Sequence, residues 1–135
     1  MAFGTKTFRI VCIGGSAGGL AAYSEILRGL PADTGMAFVI VSHRGLQHSH
    51  LLPQVLSYAT SMPIVEVEHG MRLEPNRVFV MPPCVDMTTR DNHLHLRTSS
   101  KPLGWPISLS IFLSSLGESV GRRTIAVIVS GQSPT

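Results

Sequence analysis

The chain has 135 residues, a formal net charge of +3 and 44% hydrophobic residues. These values suit one globular domain with a single core. Its basic residues form no cluster denser than Arg122-Arg123, which argues against nucleic-acid binding. No apolar run approaches the ~20 residues that cross a bilayer, and the amino end has no signal sequence. We therefore expect no membrane insertion and a cytoplasmic location.

Neither the cysteines nor the histidines form a pattern typical of a metal site. Cys12 lies in an apolar run and Cys84 follows two prolines, so the sequence predicts neither a disulfide framework nor zinc, in keeping with a reducing compartment. The two His-x-His pairs, at 48–50 and 93–95, have no third ligand in an accompanying motif. We expect no metal and no cofactor.

The first half of the chain predicts two strand-helix units. The apolar runs TFRIVCIG and MAFVIVS are typical of buried strands, and each precedes a helical pattern, AGGLAAYSEILRGL and HSHLLPQVLSYAT. Strands that are apolar on both faces are typical of a parallel sheet with helices on both sides.

The second half of the chain adds short strands, a hairpin and another crossover helix. PIVEVE and RVFVMPP predict strands, and VDMTTRDNHLHLRT alternates around an Asp91-Asn92 turn, as an antiparallel hairpin does. PISLSIFLSSLGES predicts a helix leading to the strand RTIAVIVSG. The predicted fold is a three-layer α/β domain over residues 1–135, with a mostly parallel sheet flanked by helices and an antiparallel hairpin at one edge.

Three motifs compete for the GGSAGG turn after the first strand. A phosphate-binding P-loop needs Gly-Lys-Ser/Thr, but Leu20 follows the last glycine. A dinucleotide fingerprint needs glycine where Ser16 stands and an acid after the second strand, which ends VSHRG. The third motif, G-x-S-x-G, is met by Gly14, Ser16 and Gly18, and exposes a serine hydroxyl above a sheet.

Ser16 and His43 each follow a predicted parallel strand. Neighbouring parallel strands bring their carboxyl ends together, so we expect the two side chains to meet there. An imidazole can take the proton that makes a serine hydroxyl nucleophilic. The Ala17 N–H, in the first turn of the next helix, is then a candidate oxyanion donor. The same residues also have a purely structural explanation, in which the glycines serve the packing of the turn and the histidine is a polar residue at the end of a strand.

The chain resembles the catalytic domain of the CheB family of chemotaxis protein-glutamate methylesterases over nearly its whole length. The matching stretches, in the family's order, are IGGSAGGLAAYSEILRGLP, FVIVSHRGLQHSHLLPQVLSYATSMPIVEVEHGMRLEPNRVFVMPPCVDMTT, HLHL and IAVIVSG. The resemblance implies an α/β sheet that hydrolyses glutamate γ-methyl esters on the cytoplasmic helices of methylated chemoreceptors. It also implies glutamine deamidation there, with Ser16 as nucleophile, His43 as general base and no cofactor. DMTT resembles members fused to a methyltransferase, which implies that partner.

The chain departs from the family's pattern at three places. Ser42 stands where the family has Gln, and Ala17 stands where many members have Thr. The family continues its last SG into a turn that carries the triad aspartate, whereas residues 130–135 are SGQSPT. Loss of such an aspartate costs ~10⁴ in turnover in the protease template. We expect 1–135 to lack the portion with this aspartate and to be a weak esterase.

Two other functions and one assembly state stay open from the sequence. The missing aspartate is compatible with a non-catalytic module that docks to a receptor or partner, and nucleotide binding requires Ser16 to tolerate a pyrophosphate. The TIAVIVS strand lacks the last helices that the family places over it, so we expect a homo-oligomer that buries this face.

Overall fold

The computed structural model describes residues 8–15, 20–42, 52–83, 85–98, 105–119 and 121–129. The strands are β1 (Ile10–Gly15), β2 (Ala37–Ser42), β3 (Ile64–Glu66), β4 (Met71–Arg72), β5 (Arg77–Val80), β6 (Val85–Arg90), β7 (His93–Thr98) and β8 (Thr124–Val129). The α-helices are α1 (Leu20–Arg28), α2 (Leu52–Ser57) and α3 (Trp105–Ser119). None of the helices described is long and apolar enough to cross a membrane.

Five strands form one parallel sheet in the order β3-β5-β2-β1-β8. All six residues of β1 are buried, because a strand pairs with β1 on each side and both faces are covered. This burial explains the unbroken apolar run that predicted the strand. The sequence correctly predicted that β1, β2 and β8 belong to one parallel sheet and that β1 and β2 are neighbours; the position of β8 on the other side of β1 comes from the structure.

Helices cover both faces of this sheet, as expected for three layers. On one face, Tyr23 and Leu27 of α1 and Leu56 of α2 pack against apolar side chains of the strands. On the other face, Phe112 and Leu116 of α3 form the second core cluster. The predicted α/β class with a mostly parallel sheet is therefore confirmed.

The predicted hairpin forms at the predicted turn. Asp91 and Asn92 have φ values of 54° and 61° and separate the paired residues Arg90 and His93, as in the two-residue turns that join antiparallel strands. Beyond the prediction, the hairpin belongs to a second sheet, of order β4-β7-β6. The apolar face of this second sheet packs on α3. This packing, rather than strand pairing, holds it against the parallel sheet.

Two glycines let neighbouring elements approach the end of β1. A Cβ on Gly14 would lie 2.8 Å from Leu109 Cδ1 of α3, and a Cβ on Gly15 would lie 2.5 Å from the Val129 carbonyl oxygen of β8. The first contact is with a side chain that can rotate, but the second is with backbone in the adjacent strand. Gly15 is therefore required for the pairing between β1 and β8 at this end of the sheet.

Gly15→Ala should lower the free energy of unfolding by about 2–3 kcal/mol, since overpacking against backbone forces the strands apart. Gly117→Ala is the matched control, because Gly117 lies within α3 with nothing within 4 Å of the added Cβ. It should raise the stability by about 0.5–1 kcal/mol. Urea unfolding of both variants measures the difference, and equal stabilities would contradict the steric account.

One buried hydroxyl in the second sheet has no hydrogen-bond partner among the described residues. Thr89 is 4% exposed, and its backbone N–H donates to Ser115 Oγ of α3 at 2.9 Å. Ser115 Oγ donates in turn to the Phe112 carbonyl at 2.7 Å, while Thr89 Oγ1 makes no bond within the described chain. The backbone of Thr89 thus links β6 to α3, and its hydroxyl carries a desolvation cost.

Thr89→Val should raise the free energy of unfolding by about 1 kcal/mol, because valine keeps the branched shape and the backbone bond and removes the unpaired hydroxyl. Thr88→Val, one residue earlier and on the opposite, half-exposed face, should change stability by less than about 0.5 kcal/mol. Thermal unfolding of the pair tests this, and destabilisation by Thr89→Val would refute it.

Candidate active site

The three residues that the sequence nominated for catalysis, Ser16, Ala17 and His43, lie outside the described residues. The strands that lead to them are described. Ser16 follows Gly15, the last residue of β1, and His43 follows Ser42, the last residue of β2. The positions of those strand ends therefore show where the chain enters the segments that contain Ser16 and His43.

The carboxyl ends of three strands lie side by side. Gly15 is in register with Ser42 on one side and with Val129 of β8 on the other. Adjacent strands are about 4.8 Å apart, so the positions that precede Ser16 and His43 are immediate neighbours. The sequence argument required β1 and β2 to be adjacent and parallel, and both conditions are met. Ligands of open α/β sheets bind beyond these strand ends.

Tyr23 is a residue at this edge that the sequence argument did not single out. Its side chain is 1% exposed, and a Cβ on Gly15 would lie 3.2 Å from the phenolic oxygen. The tyrosine of α1 thus fills the space next to the residue before Ser16. In the sequence, Tyr23 lies four residues before Leu27. This spacing indicates the apolar face of a helix and does not place Tyr23 at the strand ends.

A carboxylate that could orient a histidine is not found at the ends of β1, β2 or β8. Glu66 is the one residue of this type that ends a described strand of the parallel sheet. It belongs to β3, and β5 lies between β3 and β2. Two strand spacings, roughly 10 Å, therefore separate the strand of Glu66 from the strand that leads to His43.

The remaining nucleophile and ligand candidates do not assemble a second chemical site in the described part of the chain. Cys12 is buried in β1, and burial raises the pKa of its thiol to about 12, so it is a neutral core side chain rather than a nucleophile. Cys84 and the histidines of 48–50 lie outside the described residues. Within the described ranges, no three His, Cys, Asp or Glu side chains form a metal-binding group.

A cleft of about 970 Å³ lies between the β6-β7 turn and the last part of α3. Its lining includes Asn92, Glu118 and Arg123. Arg123 immediately precedes β8, and its Nη1 donates to the carbonyl of Phe8, before β1, at 3.0 Å. The cleft is thus at the amino ends of the strands, opposite the edge where Ser16 and His43 follow.

Comparison with known proteins gives consistent results. Residues 11–133 match the family model described as CheB methylesterase. The protein-glutamate methylesterase/protein-glutamine glutaminase 2 of Nitratidesulfovibrio vulgaris is 27% identical over 90% of this chain and 34% of that protein. The protein-glutamate methylesterase FrzG of Myxococcus xanthus is 29% identical over 92% of this chain and 37% of that protein.

The fold also matches a solved structure. The Thermotoga maritima CheB methylesterase catalytic domain superposes with a TM-score of 0.78 at 22% identity, over 95% of this chain and 70% of that one. The chain spans about a third of the length of the curated relatives named above. Since the family model covers most of the sequence, from residue 11 to residue 133, the chain belongs to the CheB methylesterase family.

Proposed function

We propose that this domain hydrolyses glutamate γ-methyl esters on chemoreceptor helices, with Ser16 as nucleophile and His43 as general base. The observation that carries the proposal is the register of β1 and β2, in which Gly15 faces Ser42 and the chain continues from each into one of the two residues. The names of the relatives, which include protein-glutamate methylesterases, support the choice of ester over other acyl substrates.

In the proposed first step, Ser16 Oγ attacks the ester carbonyl carbon while His43 takes the hydroxyl proton. The Ala17 N–H donates to the carbonyl oxygen as it becomes negative. Collapse of the tetrahedral intermediate breaks the bond to the methoxy oxygen, which takes the proton from His43 and leaves as methanol. The products of this step are methanol and an acyl-serine.

In the second step, His43 takes a proton from water, whose oxygen attacks the acyl-serine carbonyl. The bond to Ser16 Oγ breaks, the serine recovers its proton from His43, and the glutamic acid side chain that is released loses its remaining proton to solvent to become a carboxylate. The same route applied to a glutamine amide releases ammonia, so we extend the proposal to deamidation. No metal or organic cofactor takes part in these steps.

The proposal includes the setting of the reaction. The cytoplasmic helices of a methylated receptor are the substrate, which places the domain in the cytoplasm, and a fused or associated methyltransferase is a partner. β8 forms an edge of the described parallel sheet, and Ile125 and Ile128 are 36% and 54% exposed. This apolar edge supports the proposal that the domain forms an oligomer.

A non-catalytic docking module with the same fold is the second candidate. The observation that favours it is the distribution of carboxylates at the described strand ends of the parallel sheet, where the one carboxylate is Glu66, on a strand that β5 separates from β2. A histidine without an orienting carboxylate is a poor general base. Such a module would bind receptor helices equally well with and without the Ser16 hydroxyl.

Ser16→Ala and His43→Ala should each reduce hydrolysis of a glutamyl methyl ester peptide to background, since the hydroxyl and its base act as a unit. Methanol release measures the reaction. Ser57→Ala is the matched control, because Ser57 is exposed on α2 and bonds only its own helix, at the Gln54 carbonyl; it should keep full activity.

Two further readouts separate the roles of the pair. Free imidazole should restore part of the activity of His43→Ala and none to Ser16→Ala, and a fluorophosphonate probe should label Ser16 alone, as mass spectrometry would identify. Normal receptor binding by Ser16→Ala, with no labelling of the parent chain, would favour the docking module.

Extension of the chain through the family's aspartate-bearing turn should raise ester hydrolysis by up to ~10⁴-fold, the effect of the orienting carboxylate in the protease template. The control is the same extension with asparagine in place of the aspartate, which should leave the rate at that of residues 1–135. Equal, Ser16-dependent rates for all three chains would show that another group orients His43.

A further inference from the structure

One face of the small antiparallel sheet is strongly basic. Residues directly opposite in such a sheet project their side chains to the same side. By this register Arg90 lies with His93, Arg97 with Asp86, and Arg72 of β4 with His93. We call this side, which also carries Thr88, His95 and the adjacent His69, the basic face.

The basic face points away from the core of the domain. The alternate residues of the same strands, including Met87, Leu94 and Leu96, pack into the core cluster that contains α3. The opposite side chains therefore face outward. Arg72, Arg90 and Arg97 are all exposed.

Within the described residues, none of the three guanidinium groups on this face forms an ion pair within 4.0 Å, although Arg90 shares its cleft with Asp91 and Glu118. All eight Asp and Glu residues of the chain lie in the described part, and the described ion pair joins Arg77, the first residue of β5, to Glu74. Asp86 is the single carboxylate on the basic face, and it lies opposite Arg97 without an ion pair within 4.0 Å in the described structure.

Histidine side chains extend the donor surface between the arginines. His69 Nδ1 accepts the Leu96 N–H at 2.9 Å, which leaves Nε2 as the ring nitrogen that can donate to a ligand. The ring packs edge-to-face on His95, with centroids 5.5 Å apart, which fixes its place beside β7. The basic face thus combines guanidinium and imidazole donors on regular strands.

The composition of this face favours an acidic protein segment as its ligand. A guanidinium group binds a carboxylate through two parallel hydrogen bonds. The residues assigned to this face above include no Phe, Tyr or Trp on which bases of single-stranded RNA could stack, and no apolar side chain that could enter a membrane. The face thus lacks the side chains that stack on bases or enter a membrane, and its guanidinium donors match carboxylates.

We propose that the basic face is a docking surface for a helical protein segment rich in glutamate. The identity of the natural segment rests on the proposed function, because ester hydrolysis leaves glutamate carboxylates on the receptor helices that the domain acts on. The face runs from the pair Asp86 and Arg97, which follows β5 in the chain, to Arg90 at the β6-β7 turn, which lines the cleft at the amino ends of the parallel strands.

The test measures binding of a fluorescent helical peptide of about 20 residues with glutamates along one side, by anisotropy at two salt concentrations. The full chain should bind it more weakly as salt rises. The triple substitution Arg72→Gln, Arg90→Gln and Arg97→Gln should weaken binding by about tenfold, since three exposed charge pairs are lost.

A second triple, Arg9→Gln, Arg28→Gln and Arg122→Gln, is the matched control, because it removes the same charge from exposed sites elsewhere and should weaken binding less than about twofold. Equal losses in both triples, or equal affinity for the peptide with Gln in place of Glu, would overturn the proposal. Tighter binding to single-stranded RNA, or to vesicles with about 30% phosphatidylserine, would assign the face to that class of partner instead.

Hydrolysis of a short glutamyl methyl ester by the same variants separates this inference from the proposed function. Arginine-dependent peptide binding without any ester hydrolysis would refute the esterase and leave the docking surface in place. Ser16-dependent hydrolysis together with peptide binding that does not depend on the arginines would support the esterase and refute the docking surface. Unchanged thermal midpoints of both triples would show that the substitutions act on the surface and not on folding.

Discussion

The close approach of β1 and β8 at Gly15 is the contact on which the candidate site depends. The Val129 carbonyl occupies the space that any side chain at Gly15 would need, and Gly15 is at the same time in register with Ser42 of β2. One glycine therefore allows three parallel strands to end at the same level. Ser16 and His43 are the next residues of two of these strands. The chemistry that we propose therefore requires this packing at Gly15.

The two sheets of the domain differ in how many of their faces are covered, and this difference determines where polar and charged side chains lie. The central strand β1 is buried on both faces, so polar groups in the parallel sheet are restricted to the strand ends. The β4-β7-β6 sheet is buried on one face only, which leaves the other free to carry arginine and histidine. The edge at which we propose the reaction and the charged face thus arise from the contrast between parallel and antiparallel packing.

A serine and a histidine at adjacent strand ends still need a group that orients the imidazole. Among the described strand ends of the parallel sheet, the one carboxylate is that of Glu66 in β3, and β5 lies between β3 and β2. Gly15 and Val129, which end β1 and, beside it, β8, carry no acidic side chain either.

The sequence by itself determined the elements and the nominated pair. Apolar runs identified β1, β2 and β8, alternation around Asp91-Asn92 identified the hairpin, and G-x-S-x-G singled out Ser16. These signals are local, since periodicity and turn chemistry depend on a few consecutive residues. The tertiary structure decided what depends on distant segments: the β4 strand of two residues, the place of Tyr23 beside Gly15, and the basic face. These features do not follow from local sequence patterns, because each depends on which segments, distant in the chain, lie next to each other in the fold.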